Sequence, residues 1–126
     1  MFVAALVLAG LAAIVHVYIW WLEAPGFRRA GRVAFGVSAE DAEVMRLWAW
    51  NQGFYNLFLA VGAGVGIALS QANRDAGQAL VVFTTASMLA AALVLILSDR
   101  TKARAALVQG LFPALSLAFL LASSLG

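Results

Sequence analysis

Residues 48–56 read Trp-Ala-Trp-Asn-Gln-Gly-Phe-Tyr-Asn, and they differ from every other long apolar run of the chain. Three carboxamides and a phenol lie here inside an apolar segment that continues to Ser70. The remaining runs consist mainly of Ala, Val, Leu, Ile, Gly and Phe. Polar side chains in hydrocarbon are costly unless they find partners. The sequence therefore predicts that the other helices are arranged around this polar segment.

The composition is typical of a membrane protein. Of the 126 residues, 64% are hydrophobic and only 11% are charged, and the mean hydropathy is +0.95. Soluble domains carry roughly 25% charged residues, and a membrane span needs about 20 apolar residues. We therefore predict an all-α fold with a single domain, 1–126. It is a polytopic membrane protein, a bundle of four transmembrane helices at about 2–22, 44–70, 79–98 and 105–122.

Helix boundaries follow from local signals. Pro25-Gly26 ends the first span, and Ser38 with Asp41 resembles a capping box, so the second helix is expected to begin near Ala39, outside the bilayer. The segment from Gln71 to Gln78 is expected to be a short polar turn.

Basic residues predict the orientation. The linkers after the first and third spans hold Arg28, Arg29, Arg32, Arg46, Arg100, Lys102 and Arg104, whereas the linker after the second span holds only Arg74. The positive-inside rule places both termini outside and the basic linkers in the cytoplasm. The predicted location is the cytoplasmic (inner) cell membrane, crossed several times. The basic pI reflects these topology signals, and no nucleic-acid partner is expected.

Several classes of chemistry find no support in the sequence. Cysteine is absent, which excludes disulfides, thiolate metal sites and a cysteine nucleophile. No P-loop, dinucleotide fingerprint, zinc-protease motif or nucleophile elbow is present. We predict no metal site and no cofactor.

Polar residues from three spans fall at one predicted depth. At about 100° per residue, His16, Trp20 and Glu23 share one face of the first helix, and Trp48, Gln52 and Tyr55 share one face of the second. We predict a pocket, open toward the cytoplasm or the inner leaflet, with Trp20 and Trp48 facing inward. The catalytic candidates are His16 and Glu23, and the ligand-binding candidates are Trp20, Trp48, Asn51, Gln52, Tyr55, Asn56 and Gln109.

Each candidate has a structural alternative. His16, the single histidine, is interpreted as a neutral interhelical hydrogen-bonding group, as a general acid–base or proton relay, or as an axial haem or metal ligand. Glu23 is either an interfacial carboxylate paired with an arginine (Arg28, Arg29 or Arg46) or a partly buried group that carries a proton. The carboxamides are either interhelical hydrogen-bonding groups or ligand contacts.

Three pieces of the sequence resemble a family of small bacterial and fungal four-helix membrane proteins catalogued as a domain of unknown function. They are His16-Val17-Tyr18-Ile19 with Glu23, Asn51-Gln52-Gly53-Phe54-Tyr55-Asn56 followed by Phe58-Leu59-Ala60, and Gln109-Gly110 with Pro113-Ala114. The resemblance covers essentially the whole chain. It implies the fold and the choice of site residues and carries no activity. In the last piece one extra residue precedes the proline, which rotates Pro113 relative to Gln109.

Three functions remain open at this point. The first is a binder of a small lipophilic or amphipathic molecule, extended to an enzyme if His16 moves a proton. The second is a small oligomeric, proton-coupled transporter or channel, and the third is an accessory subunit of a larger membrane complex. Expected partners are membrane lipids, a small lipophilic ligand, and a second copy of the chain contacting through Gly62 and Gly66, which have GxxxG spacing.

Overall fold

The computed structural model describes residues 1–125 and is helical almost throughout. In chain order it comprises α1 (Phe2–Glu23), a π-helical turn (Phe27–Gly31), α2 (Arg32–Ala34), α3 (Ala39–Leu69), α4 (Arg74–Ser98), a 3-10 turn (Arg100–Lys102) and α5 (Ala103–Leu125). Within residues 1–125, four helical segments are long and apolar enough to cross a membrane: Phe2–Glu23, Ala39–Leu69, Arg74–Ser98 and Arg100–Leu125. The all-α fold with four apolar spans is thereby confirmed, and the outside location of both termini stays a prediction.

Most helix ends agree with the local signals in the sequence. Helix α1 ends two residues before Pro25, and α3 begins at Ala39. The backbone N–H of Asp41 donates to Ser38 Oγ at 3.1 Å, which caps the start of α3.

The polar segment 71–78 was predicted wrongly as a turn. Helix α4 begins at Arg74, because Asn73 is an N-cap whose side-chain oxygen accepts from the N–H of Ala76 at 3.1 Å. A capped first turn lets polar residues extend an apolar helix beyond the hydrocarbon.

The chain divides into two compact units, and the first comprises Met1–Val15 with the chain from Leu59 onward. Its core is a bundle of four helical segments with small residues on α1. One cluster joins Ala5, Leu6 and Ala9 to Val81 of α4 and Leu120 of α5, with Ile67 of α3 packed against it. A second cluster joins Ala12, Ala63 and Met88. Ser116 Oγ donates to the Ala5 carbonyl oxygen at 2.8 Å, so α5 is also hydrogen-bonded to α1.

The glycine face predicted as a dimer contact packs inside this first unit. A Cβ on Gly62 would lie 2.8 Å from Thr84 Cγ2, and one on Gly66 would lie 2.9 Å from Val81 Cγ2. Both glycines therefore let α3 approach α4 of the same chain. Gly64 has open space around it. A homodimer stays a prediction, but Gly62 and Gly66 are already engaged within the chain.

The second unit spans His16–Phe58. It contains the end of α1, the linker with its two short helical turns, and the first part of α3. All of the predicted site residues except Gln109 belong to this unit. The single domain predicted from the sequence stays a prediction.

Candidate functional site

Glu23 and Asn56 form the central polar contact of the second unit. Asn56 Nδ2 donates to Glu23 Oε2 at 2.7 Å and lies 3.3 Å from the carbonyl oxygen of Gln52, one turn earlier. Asn56 is buried, and the other carboxyl oxygen of Glu23 has no hydrogen bond among residues 1–125. The pair joins the last residue of α1 to the middle of α3.

Gly53 explains why these two helices come close enough for that bond. A Cβ at this position would lie 3.1 Å from Glu23 Cβ and 3.2 Å from both Ala24 Cβ and the carbonyl oxygen of Trp20. Glycine presents no side chain, so α3 can approach the end of α1 here. Within the polar segment, Gly53 thus contributes by its small size, whereas Gln52 contributes a carbonyl oxygen that lies close to Asn56.

The same unit contains an aromatic cluster centred on Phe54. Its ring centroid is 6.1 Å from that of Trp20 in an edge-on arrangement, 5.4 Å from that of Trp50 and 6.2 Å from that of Phe58. These separations are within the favourable range for aromatic pairs. The indole Nε1 of Trp20 is buried and has no hydrogen-bond partner in the described part of the chain.

The linker folds back on the end of α1. The N–H of Gly26 donates to the Trp21 carbonyl oxygen at 2.8 Å, and Phe27 is buried. Any side chain at Gly31 would collide with the carbonyl oxygen of Leu22, so the π-helical turn is in backbone contact with α1. Gly36, with a φ of +68°, reverses the chain before α3.

Two cavities lie on this unit, and Phe27 lines both. The first, which we call the Glu23 cavity, has a volume of about 400 Å³ and is lined by Glu23, Phe27, Phe35, Val37, Met45, Trp48, Ala49, Asn51 and Gln52. The second, which we call the arginine cavity, has a volume of about 450 Å³ and is lined by Ala24, Pro25, Phe27, Arg28, Arg46, Leu47 and Trp50.

Glu43 holds the two arginines of the second cavity. Its Oε1 lies 2.9 Å from Arg28 Nη2 and 3.4 Å from Arg46 Nε. Arg32 Nε also donates to the backbone carbonyl oxygen of Arg28, at 3.2 Å. Glu43 was not among the site residues predicted from the sequence.

The interfacial pairing suggested for Glu23 was wrong. Its hydrogen-bond partner is Asn56, and the acid that binds Arg28 and Arg46 is Glu43. Spacing along the chain favoured the nearer arginines. In the folded chain Arg28, from the linker, and Arg46, from α3 itself, both contact Glu43 near the start of α3.

The structure brings some of the predicted ligand-binding residues together. Trp48, Asn51 and Gln52 line the Glu23 cavity beside Glu23 itself. Trp48 is nonetheless 75% exposed, so its ring is not enclosed as we expected. Tyr55 is 58% exposed, lines neither cavity and packs edge-on against Phe58.

His16 is 1% exposed, which makes it one of the most deeply buried polar residues of the described chain. It lies seven residues before Glu23 on α1, about 10 Å along the helix axis. Gln109 belongs to the first unit and is partly buried. The predicted convergence of these residues on one ligand stays a prediction. Among residues 1–125 no group of three His, Cys, Asp or Glu side chains is placed to hold a metal ion.

Most of the apolar wall of the Glu23 cavity was not predicted from the sequence. Phe27 and Phe35 lie in the basic linker, and Val37 and Met45 flank the cap of α3. The sequence does contain an indication of this wall, because large apolar residues are interleaved with arginines between residues 27 and 35. The segment contributes to the site because it packs on α1 and α3.

The four apolar helices, by their length and composition, are those of a multi-pass membrane protein. The chain belongs to the family described as "Protein of unknown function (DUF1304)", which matches residues 10–121. The resemblance to a family of unknown function is thereby confirmed. The match carries no activity, and the role of the Asn-Gln-Gly-x-Tyr-Asn motif stays a prediction. No curated protein and no solved structure matches the chain.

Proposed function

We propose that this protein binds a small amphipathic molecule in the Glu23 cavity. The observation that carries the proposal is the position of Glu23. One carboxyl oxygen is bonded to Asn56, the other has no partner among residues 1–125, and the residue lines a cavity of about 400 Å³. A carboxyl oxygen without a protein partner, on a residue that lines a largely apolar cavity, is available to accept a hydrogen bond from a ligand.

The lining fits a molecule with one polar end. Phe27, Phe35 and Trp48 offer apolar and aromatic surface, whereas Asn51 and Gln52 both donate and accept hydrogen bonds. Ligand sites of roughly 300–1,000 Å³ commonly combine an apolar wall with a few polar groups. A hydroxyl- or ammonium-bearing head would suit the carboxyl group of Glu23 best.

The location of the cavity supports a ligand taken from the membrane. Glu23 is the last residue of an apolar span, and the linker residues Phe35 and Val37 also line the cavity. We place this linker on the cytoplasmic face, because it carries most of the basic residues near the first span. The ligand would then enter from the inner leaflet or the cytoplasm.

Chemical conversion of the ligand is a further step of the proposal and requires His16. The imidazole lies about 10 Å along α1 from Glu23, so a ligand must extend between them for His16 to move a proton on it. His16→Gln should then abolish conversion while leaving binding at Glu23 intact.

The proposal is tested by identifying molecules that co-purify with the full-length chain. The protein is purified in a mild detergent, extracted with organic solvent and analysed by mass spectrometry, in parallel with Glu23→Gln, Asn51→Ala and Trp48→Ala. Glu40→Gln is the matched control, since Glu40 lies in the first turn of α3 and outside the cavity.

We expect one amphipathic species to be retained by the wild type and by Glu40→Gln and to be depleted in the three cavity variants. Trp48→Ala keeps the Glu23–Asn56 bond intact, so depletion there cannot arise from loss of that bond. Identical extracts from all five proteins, with equal thermal stability, would overturn the proposal.

A further inference from the structure

The arginine cavity is a second, chemically different site on the same unit. Its lining includes the buried residues Ala24 and Phe27 and two arginines with exposed side chains, Arg28 and Arg46. Leu47 and Trp50 add exposed apolar surface. The volume of about 450 Å³ is ample for a phosphate group and the glycerol attached to it.

The charges at this cavity are unbalanced. Two guanidinium groups contact a single carboxylate oxygen, Glu43 Oε1, at 2.9 and 3.4 Å. The side chains of all three residues are more than half exposed. Exposed ion pairs are weak and exchange readily with other ions. The site therefore retains positive charge and can accept a second anion beside Glu43 or in place of it.

The depth of the cavity indicates where that anion comes from. Arg46 is the last charged residue of α3 before its apolar part, and no further charge follows until Arg74. Trp50, one turn deeper, is the kind of residue that lies at headgroup level. Arginine and the phosphate of a lipid headgroup thus meet at the same level of the membrane, where a guanidinium binds phosphate oxygens in a bidentate manner.

We infer that the arginine cavity binds the phosphate of an anionic membrane phospholipid, with Arg28 and Arg46 as its ligands and Leu47 and Trp50 against the start of its acyl chains. Glu43 holds the two arginines together when the lipid is absent. This site is separate from the Glu23 cavity, although Phe27 forms a wall of both.

Arg29 provides a matched control. It belongs to the same π-helical turn as Arg28 and carries the same charge, but it does not line the cavity. A basic surface that attracts anionic lipids without a defined site would use Arg29 as well as Arg28. A defined site would depend on Arg28 and not on Arg29.

The test measures the affinity of the full-length protein for single lipids in a neutral detergent micelle, by native mass spectrometry. The probes are phosphatidylglycerol, the zwitterionic phosphatidylcholine, and sodium phosphate as a competitor. A neutral micelle has no surface charge, so it neither attracts nor repels the anionic headgroup by itself. Helical content and thermal unfolding are recorded for every variant to establish that it is folded.

We expect Arg28→Gln and Arg46→Gln each to weaken phosphatidylglycerol binding roughly tenfold, because each loses charged hydrogen bonds. Arg29→Gln should leave the affinity unchanged. Glu43→Gln should strengthen binding about twofold to fivefold, since a weak internal competitor is removed. A purely structural Arg–Glu cluster would instead make Glu43→Gln behave like the arginine variants.

Two results would overturn the inference. One is an equal loss of affinity in Arg28→Gln and Arg29→Gln, which would indicate a diffuse basic surface. The other is displacement of the lipid by sodium phosphate with the same arginine dependence, which would indicate a soluble phosphate ligand. Glu23→Gln should retain phosphatidylglycerol binding, so failure here is distinguishable from failure of the Glu23 cavity.

Discussion

Asn56 Nδ2 lies 2.7 Å from Glu23 Oε2, and this hydrogen bond joins residues that are 33 positions apart in the chain. It gives the acid at the end of α1 a neutral partner, although several arginines are nearer in sequence. The arginines are thereby left to Glu43 and to the second cavity. The lining of the Glu23 cavity therefore contains an acid and no basic residue, whereas the lining of the arginine cavity contains two arginines and no acid.

Removal of Asn56 should destabilise the protein. Asn56→Ala leaves Glu23 without its hydrogen-bond donor in a partly buried place, and we expect a loss of about 1–3 kcal/mol in the free energy of unfolding. Denaturant titration of the detergent-solubilised protein measures it. Asn51→Ala is the control, since Asn51 is exposed, and its effect should stay within about 0.5 kcal/mol.

A double-mutant cycle of Glu23→Gln with Asn56→Ala should give a coupling of about 0.5–3 kcal/mol. Additive effects of the two substitutions would show that the bond contributes nothing to stability.

Gly66 and Gly64 should respond in opposite ways to alanine. A Cβ on Gly66 would lie 3.0 Å from the backbone nitrogen of Val81 and 3.1 Å from the carbonyl oxygen of Gly77, and backbone atoms cannot move aside easily. We expect Gly66→Ala to destabilise by about 1–3 kcal/mol through overpacking. Gly64→Ala, with open space, should be neutral or stabilising by up to about 1 kcal/mol, because alanine favours helix.

Unfolding in detergent measures both effects, and light scattering records the oligomeric state. Because Gly66 packs within the chain, neither substitution should change that state. A dimer that dissociates in Gly66→Ala without a change in helix stability would contradict this assignment.

The orientation predicted from the basic linkers can be checked by cysteine labelling, since the chain has no cysteine of its own. Ala34→Cys in the basic linker should react with a membrane-impermeant maleimide only after the cells are opened. Ala72→Cys, between α3 and α4, should react in intact cells. Both positions are exposed, so a difference in labelling reports sidedness. The reverse pattern would place the Glu23 cavity on the outer face.

Thr101 should control the titration of Asp99 between α4 and α5. Its hydroxyl donates to Asp99 Oδ1 at 2.6 Å and its backbone N–H donates at 2.9 Å, and these bonds hold the pKa of Asp99 below its ordinary value. A lowered pKa means that ionised Asp99 favours the folded state above the unfolded-state pKa, and that this contribution is lost as the pH falls through the native pKa.

Thr101→Val should move the pKa of Asp99 upward toward its ordinary value, whereas Thr101→Ser should keep it low. The chemical shift of the Asp99 carboxyl carbon against pH measures this by NMR. The same titration in Thr101→Val as in the wild type would show that the hydroxyl has no influence.

The sequence predicted more of the fold than of the site. Ser38 identified the start of α3 because an N-cap acts on the N–H groups that follow it directly. Asn73 acts in the same way and was overlooked, so the start of α4 was placed too late. For the site, Glu23 and Asn56 were both selected as candidates, but their bond was not foreseen. Glu43, which connects the two arginines, was not selected at all.

The sequence by itself determined the number of apolar spans, their approximate limits and the concentration of polar groups in residues 51–56. These are properties of consecutive residues, and composition and spacing express them directly. Only the tertiary structure decided which polar group meets which, because that depends on how each helix is rotated and how closely it approaches its neighbour. Gly53 allows α3 to approach α1 at Glu23, and Gly31 allows the linker to fold against α1. Alternative pairings between polar side chains differ in free energy by only about 1–2 kcal/mol. The pairing that forms is therefore decided by which backbones can pack closely together.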